Sequence, residues 1–281
     1  MTDDSKLLID DRDGVRWLTF NRPAIHNAQD PEMLELLDAA LDDIARKRDC
    51  RAVVLAGVGK SFTSGHDLRQ MHDNHTFAHN ASSVEGRFWQ EFRLFVEPVR
   101  KFRELSVPTV CRIQGHCLAA GLMFAASADF VVADTTAKFG SPIVTSIAVN
   151  DAEVASFALR VGESVAKRVF WLDERLDAQQ AYDAGLVTWV VQPDELDTKT
   201  NEVANKLASA PAETIALSKQ SLLFMADQRG EREINKFHFM AHQLSHWTSE
   251  SQAVLDARLA RLAGGGKPFD ESAVPAGSAS K

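Results

Sequence analysis

The sequence predicts an α/β protein. Three observations carry that expectation: an opening strand–helix–strand unit, a repeated alternation of short apolar runs with helical stretches, and a change beyond Gly185-Leu186-Val187 to helices with no strands between them.

The first strand is Val15-Arg16-Trp17-Leu18-Thr19-Phe20, entered from a hairpin-like Asp-Arg-Asp-Gly turn. The stretch from Asn21 to Asp30 then breaks the pattern. Asp30, Pro31 and Glu32 mark a helix start, with Asp as N-cap and Pro at the first helical position. Leu34, Leu37, Leu41 and Ile44 recur at helical spacing down to the strand Ala52–Gly57, which completes a right-handed βαβ unit. A loop from Ser61 to Leu68 follows. The polar, His-rich stretch from His72 to Ser83 holds little core-building material and is expected to be a mobile excursion. Glu85 to Leu105 reads as one helix with Phe88, Phe92, Phe95 and Val99 on one side. Val107-Pro108 opens a strand at Thr109–Ile113, ending at Gln114-Gly115; a small-residue helix over Ala119–Ala128, a strand over Asp129–Ala133 and a short strand at Lys138–Gly140 come next.

After Val190-Val191, helices are expected over 197–208, 211–226, 231–246 and 249–262. The predicted organisation is a core domain over 1–196, a helical region over 197–262, and a flexible tail over 263–281 that opens on Gly264-Gly265-Gly266. No solenoid-type repeat is present.

Thirty-one Lys and Arg stand against 39 Asp and Glu, and the net charge of −8 argues against nucleic acid or an anionic membrane as partner. A local basic patch for an anionic ligand remains compatible with it. Cys50, Cys111 and Cys117 match no zinc spacing and read as buried free thiols. The acidic N-terminus has no apolar stretch of the signal-peptide kind, and no apolar run reaches the roughly 20 residues of a membrane span. A cytoplasmic location is the resulting expectation.

Three stretches, in order, carry a resemblance. Ser61-Phe62-Thr63-Ser64-Gly65-His66-Asp67-Leu68 resembles the F-x-x-G-x-D-L loop of the crotonase (enoyl-CoA hydratase/isomerase) superfamily. Gln114-Gly115-His116-Cys117-Leu118-Ala119-Ala120-Gly121 resembles that family's glycine-rich turn into a helix. Asp129 to Asp134, followed by Ala137-Lys138-Phe139-Gly140, resembles its C-D-x-x-x-A…A-x-F-G segment, and Asn21-Arg22-Pro23 and Ala181–Val187 match weaker landmarks. The resemblance covers roughly residues 6 to 270. It implies a crotonase-like ββα superhelix core with a C-terminal helical trimerisation region, an acyl-CoA substrate whose CoA is no separate cofactor, and assembly as a homotrimer or a dimer of trimers. In such proteins two backbone N–H groups stabilise the oxyanion of an acyl thioester. Position by position they fall on His66 and Ala120; an ordinary tight turn packing helix on sheet is the other reading.

The chain departs from the family where its hydratases place two glutamates. Those positions are Met123 and Ile143, and neither side chain can transfer a proton. Asp151, eight residues past Ile143, resembles an aspartate used by family isomerases, hydrolases and dehalogenases, and equally suits a helix N-cap; Glu153 is a poorer candidate. His66 and His116 adjoin the hole elements, where either ring is a candidate general base or a structural histidine. His72, His75 and His79 have no acidic partner that makes a metal site. His238, His242 and His246 recur every four residues and read as an interface or solvated stripe rather than metal ligands. For CoA, the resemblance points to the Phe62–Thr63–Ser64 backbone at the adenine, Arg69 at a phosphate, and Lys267 and Phe269 reaching in from the C-terminus. Three functions stay open: an acyl-CoA isomerase or hydrolase, a non-catalytic acyl-CoA binder, and a CoA-independent carbon–carbon bond hydrolase.

Overall fold

The computed structural model describes residues 4–47, 49–73, 79–150 and 154–263. Strands β1 (Leu7–Arg12) and β2 (Val15–Phe20) form an antiparallel hairpin closed by Asp13 and Gly14, both at positive φ (50° and 81°). An Asp-Gly pair in that conformation makes the two-residue turn whose twist matches the flanking strands. From β2 the sheet continues parallel through β3 (Ala52–Gly57), β4 (Thr109–Ile113), β6 (Phe130–Asp134) and β9 (Trp189–Val191), giving six strands in the order β1-β2-β3-β4-β6-β9. A second sheet of three short strands joins β5 (His116–Leu118), β7 (Lys138–Gly140) and β8 (Leu176–Asp177). The α/β class is as expected; β1, β5, β8 and β9 are additions to the sequence reading.

Alternation along the strands separates two buried faces. Leu18, Phe20, Val53, Leu55, Cys111, Ile113 and Val131 face the main core, where the Pro31–Arg46 helix contributes Met33, Leu37, Leu41 and Ile44. That helix starts where predicted: the Asp30 side chain accepts from Met33 N–H at 3.0 Å and Pro31 occupies the first turn. Val15, Trp17, Val54, Val110 and Val132 face the other side, which the Leu196–Ser209 helix covers with Leu196, Val203 and Ala204. Each of the larger side chains so buried stabilises the fold by about 1.5–3 kcal/mol. Cys50, Cys111 and Cys117 are buried free thiols.

The core also fixes the parts that bear on function. Phe20 on β2 packs against Phe62 of the 61–68 loop and Phe124 of the Ala120–Ser127 helix, with ring centroids 5.8 and 6.1 Å apart. Loop and helix are thereby clamped to one sheet position. Arg160 donates to Ala126 O and Ala128 O at 3.1 and 2.6 Å, setting a cation against the C-terminal carbonyls of that helix.

Two expectations need correction. The 85–105 stretch is not one α-helix: Val84–Glu91 and Glu97–Glu104 flank a π-turn at Phe92–Val96, where Glu97 N–H reaches back to Phe92 O. Pro98 has no N–H to donate to Leu94 O, so the regular ladder is interrupted just beyond this point. The His72–Ser83 excursion carries more structure than expected, since Leu68–Asp73 and residues 79–81 are helical and Ala81 packs near Leu34 and Leu94. Residues 74–78, and with them His75, lie outside the described residues. Among the described residues no helix is long and apolar enough to cross a membrane.

Candidate active site

The 61–68 loop is splinted on both sides. On one side Phe62 N–H donates to Gln114 O at 2.8 Å, Thr63 N–H to His116 O at 3.0 Å and Leu118 N–H to Thr63 O at 3.0 Å. On the other, Ser64 N–H donates to His26 O, Gln29 N–H to Gly65 O and Asp67 N–H to Gln29 O, at 2.8–2.9 Å. Asn27, fully buried, donates to Val58 O and Ser61 O and accepts from Arg22 N–H. Arg22 also pairs with Asp67 at 2.9 Å. The Asn21–Gln29 break in the periodic pattern is therefore the scaffold of the loop.

This splint brings two tight turns together. Gly65 has φ +93°, and a Cβ there would meet Ala119 Cβ at 2.8 Å, Leu118 O at 3.1 Å and Ala120 N at 3.4 Å. Ala119 itself has φ 47° and ψ −117° and precedes the first residue of the Ala120–Ser127 helix. The backbone N–H groups of His66 and Ala120 thus lie on adjoining segments, and among the described residues neither has a hydrogen-bond partner. At Ala120 this is the expected state of a donor in the first turn of a helix, where the dipole adds partial positive charge. Gly121 lets the helix close on the loop: a Cβ there would meet Thr63 Cγ2 at 2.9 Å.

Ala119 is an L-residue in a conformation that favours glycine. Ala119→Gly is expected to stabilise the protein by about 1 kcal/mol, read as a higher thermal midpoint.

His66 stacks on Phe95 of the π-turn with ring centroids 3.7 Å apart. Although part of the residue reaches solvent, its ring is enclosed, and burial pushes the imidazole down to about 3, against a smaller upward pull from Glu91. Burial also lowers His116, helped by His26 and Arg175. The His116 ring meets His26 edge-on at 5.1 Å, and His26 Nδ1 lies 2.9 Å from Ser61 Oγ. A histidine with a depressed folded pKa binds fewer protons when native. Stability is therefore full above the unfolded value near 6.5 and falls as pH drops below it toward the folded value. Urea unfolding at pH 5 against pH 7.5 is expected to show a loss of roughly 1–2 kcal/mol from His66, and His66→Phe should remove it.

Beside Phe95 and His66, the end of the Val84–Glu91 helix meets the Glu231–Ser245 helix. Of the two readings of His238, His242 and His246, interface or solvated stripe, the solvated one does not hold: His242 is buried and His246 half-buried against the Val84–Glu91 helix. Glu91, itself buried, approaches His242 Nε2 at 3.2 Å and His246 Nε2 at 3.7 Å through Oε2, and the two imidazole nitrogens are 3.3 Å apart. Gln243 donates to the same oxygen at 2.7 Å, while Arg87 donates to Oε1 at 3.0 Å. Burial alone would raise the Glu91 carboxyl; the His242 hydrogen bond with the charges of His242, His246 and Arg87 outweighs it and holds the group at about 2. Burial presses His246 down to about 4.

The remaining sequence candidates are scattered. Asp151, Glu153, Lys267 and Phe269 lie outside the described residues. Asn150, next to Asp151, is docked on the histidine helix: its N–H donates to Ser245 Oγ at 2.8 Å and its carbonyl accepts from His242 Nδ1. Phe62 and Thr63 are fully buried, Ser64 is half-buried and Arg69 is exposed. Met123 is buried and Ile143 half-buried. Glu91, Arg87, Gln243 and Asn27 were not among the candidates. One signal was available for Glu91, a lone acid three or four residues from Phe88 and Phe95 on an apolar helical face.

Residues 10–257 match the enoyl-CoA hydratase/isomerase family. The chain is 30% identical over 221 residues to a short-chain-enoyl-CoA hydratase of Clostridium acetobutylicum, covering 78% of this chain and 81% of that protein. It is 29% identical over 219 residues to 2,3-dehydroadipyl-CoA hydratase of Escherichia coli, covering 78% and 82%. Among solved structures, an enoyl-CoA hydratase/isomerase from Xanthobacter autotrophicus superposes with a TM-score of 0.83 at 27% identity, over 92% of this chain and 95% of that one. The chain belongs to the enoyl-CoA hydratase/isomerase (crotonase) family.

Proposed function

We propose that this protein binds an acyl-CoA thioester with its carbonyl oxygen between the N–H groups of His66 and Ala120, and acts on it by isomerisation or hydrolysis rather than by two-glutamate hydration. The observation that carries the reading is the contact of the Gly65 and Ala119 turns, which places two backbone donors without a partner among the described residues on adjoining segments at a helix start. Family membership supports a CoA thioester as ligand. His66 serves through its backbone, since its enclosed ring is a weak base at neutral pH.

Met123 and Ile143 stand where the resemblance expects the proton-transferring pair, which argues against conventional hydration. Asp151 is the acid proposed to act on the acyl chain. Phe62–Ser64 and Arg69 are proposed to line the adenine and phosphate path, with Lys267 and Phe269 closing it. Assembly as a trimer or dimer of trimers is supported by the apolar surface of the last helices, where Phe224 is 65% exposed and Phe237 75%.

The test is calorimetric titration with a short unsaturated acyl-CoA and with its thioether analogue, followed by product analysis. Thioester binding at least about tenfold tighter than thioether is expected, because only the thioester oxygen engages both donors. An isomer or a free acid would then identify the reaction. Binding without turnover would favour the second reading, a non-catalytic acyl-CoA binder, for which Met123 and Ile143 also speak. No binding of either CoA compound at saturating concentration would sink both and bring forward the CoA-independent carbon–carbon hydrolase.

A further inference from the structure

The Glu91, His242 and His246 cluster does not belong to the oxyanion hole and gathers three potential metal-ligand atoms within 4.8 Å of one another. Asn150 O can only accept, so His242 Nδ1 carries the proton of that hydrogen bond. His242 Nε2, left with its lone pair when the ring is neutral, lies 3.2 Å from Glu91 Oε2 and 3.3 Å from His246 Nε2. A neutral His242 sets its lone pair against a buried carboxylate. A cation at the centre of the triangle satisfies all three atoms at once.

The dimensions suit a particular cation. At the bond lengths of about 2.0–2.1 Å usual for zinc with imidazole or carboxylate, tetrahedral ligands stand about 3.3 Å from one another. The three edges here are 3.2, 3.3 and 3.7 Å. His242 and His246, four apart on one helix, share a face, the spacing by which paired histidines clasp zinc. The surrounding contacts are of the kind that orient metal ligands: a backbone carbonyl fixes the His242 tautomer, and Gln243 and Arg87 anchor the carboxylate whose Oε2 forms one corner of the triangle.

We propose that Glu91, His242 and His246 bind one divalent transition-metal ion of the zinc class. Two imidazoles and one carboxylate favour zinc, cobalt or nickel over magnesium or calcium. Three protein ligands leave a fourth position for water or an anionic oxygen, as at catalytic rather than structural zinc. The site stands on its own geometry and does not require the acyl-CoA reading.

The test uses the untagged full chain, stripped with a chelator and equilibrated with Zn²⁺ or Co²⁺ alone. About one tightly held zinc per chain is expected by elemental analysis, with visible d–d absorption of four-coordinate cobalt and a rise in thermal midpoint on adding zinc. His246→Ala, which leaves the Glu91–His242 contact in place, should weaken binding by at least about tenfold. His72→Ala/His75→Ala should bind as wild type does. Equal metal binding by wild type and a folded His246→Ala, or loss that follows His72 and His75 instead, overturns the proposal. Should His246→Ala fail to fold, the cobalt spectrum of the wild type decides: no four-coordinate band, no site.

Discussion

Glu91→Ala is expected to destabilise the metal-free protein by about 3–5 kcal/mol, the range found when one partner of a buried ion pair is removed. Glu91 is 3% exposed; its carboxylate accepts from Arg87 and Gln243 and lies 3.2 Å from His242 Nε2. Truncation leaves the Arg87 guanidinium and the buried Gln243 amide without this acceptor. Glu91→Gln keeps one oxygen acceptor and nearly the same volume, so its loss should be about 1–3 kcal/mol. Chemical denaturation in the presence of a chelator separates the two. If Glu91→Ala unfolds within about 1 kcal/mol of wild type, the group is not the buried hub described here.

Glu91 also shows where sequence reading reaches its limit. Elements fixed by local periodicity were legible: the Asp30-capped helix, the strands from Val15 to Lys138, and the four helices after Val191 each follow from spacing and capping within a few residues. The loop and turn of the proposed oxyanion site were singled out by their resemblance to the family's motifs; glycine at 65 and small residues at 119–121 suit the close approach of the two segments. The pairing of Glu91 with His242 spans 151 residues and depends on how two helices dock. Nothing local distinguishes His242 from a solvated histidine, since exposure is decided by the neighbour. The π-turn at Phe92–Val96 was hidden for a related reason. Its residues are ordinary helix members by pattern, and only the ladder shows the slip that places Phe95 on His66. β5 and β8, at three and two residues, are too short to carry a period.

Gly65→Ala is expected to abolish most of the protein's function while leaving it folded. The substitution does two separable things. It places an L-residue at φ +93°, a conformational cost of about 1–2 kcal/mol. It also drives a methyl to within 2.8 Å of Ala119 Cβ and 3.1 Å of Leu118 O, so one of the two turns must move. Gly162→Ala isolates the first effect, because that glycine has φ +85° and nothing within 4 Å of its would-be Cβ. Both variants should therefore lose stability from backbone strain, with an additional loss at Gly65 from the clash. Only Gly65→Ala should separate the His66 and Ala120 donors. Loss of one such donor typically lowers turnover about 10²–10³-fold, and acyl-CoA affinity should fall at least about tenfold with it. Gly162→Ala should bind and turn over as wild type does. If Gly65→Ala keeps wild-type affinity and turnover, the two N–H groups do not share an oxyanion, and the contact between the turns serves only to pack helix on loop.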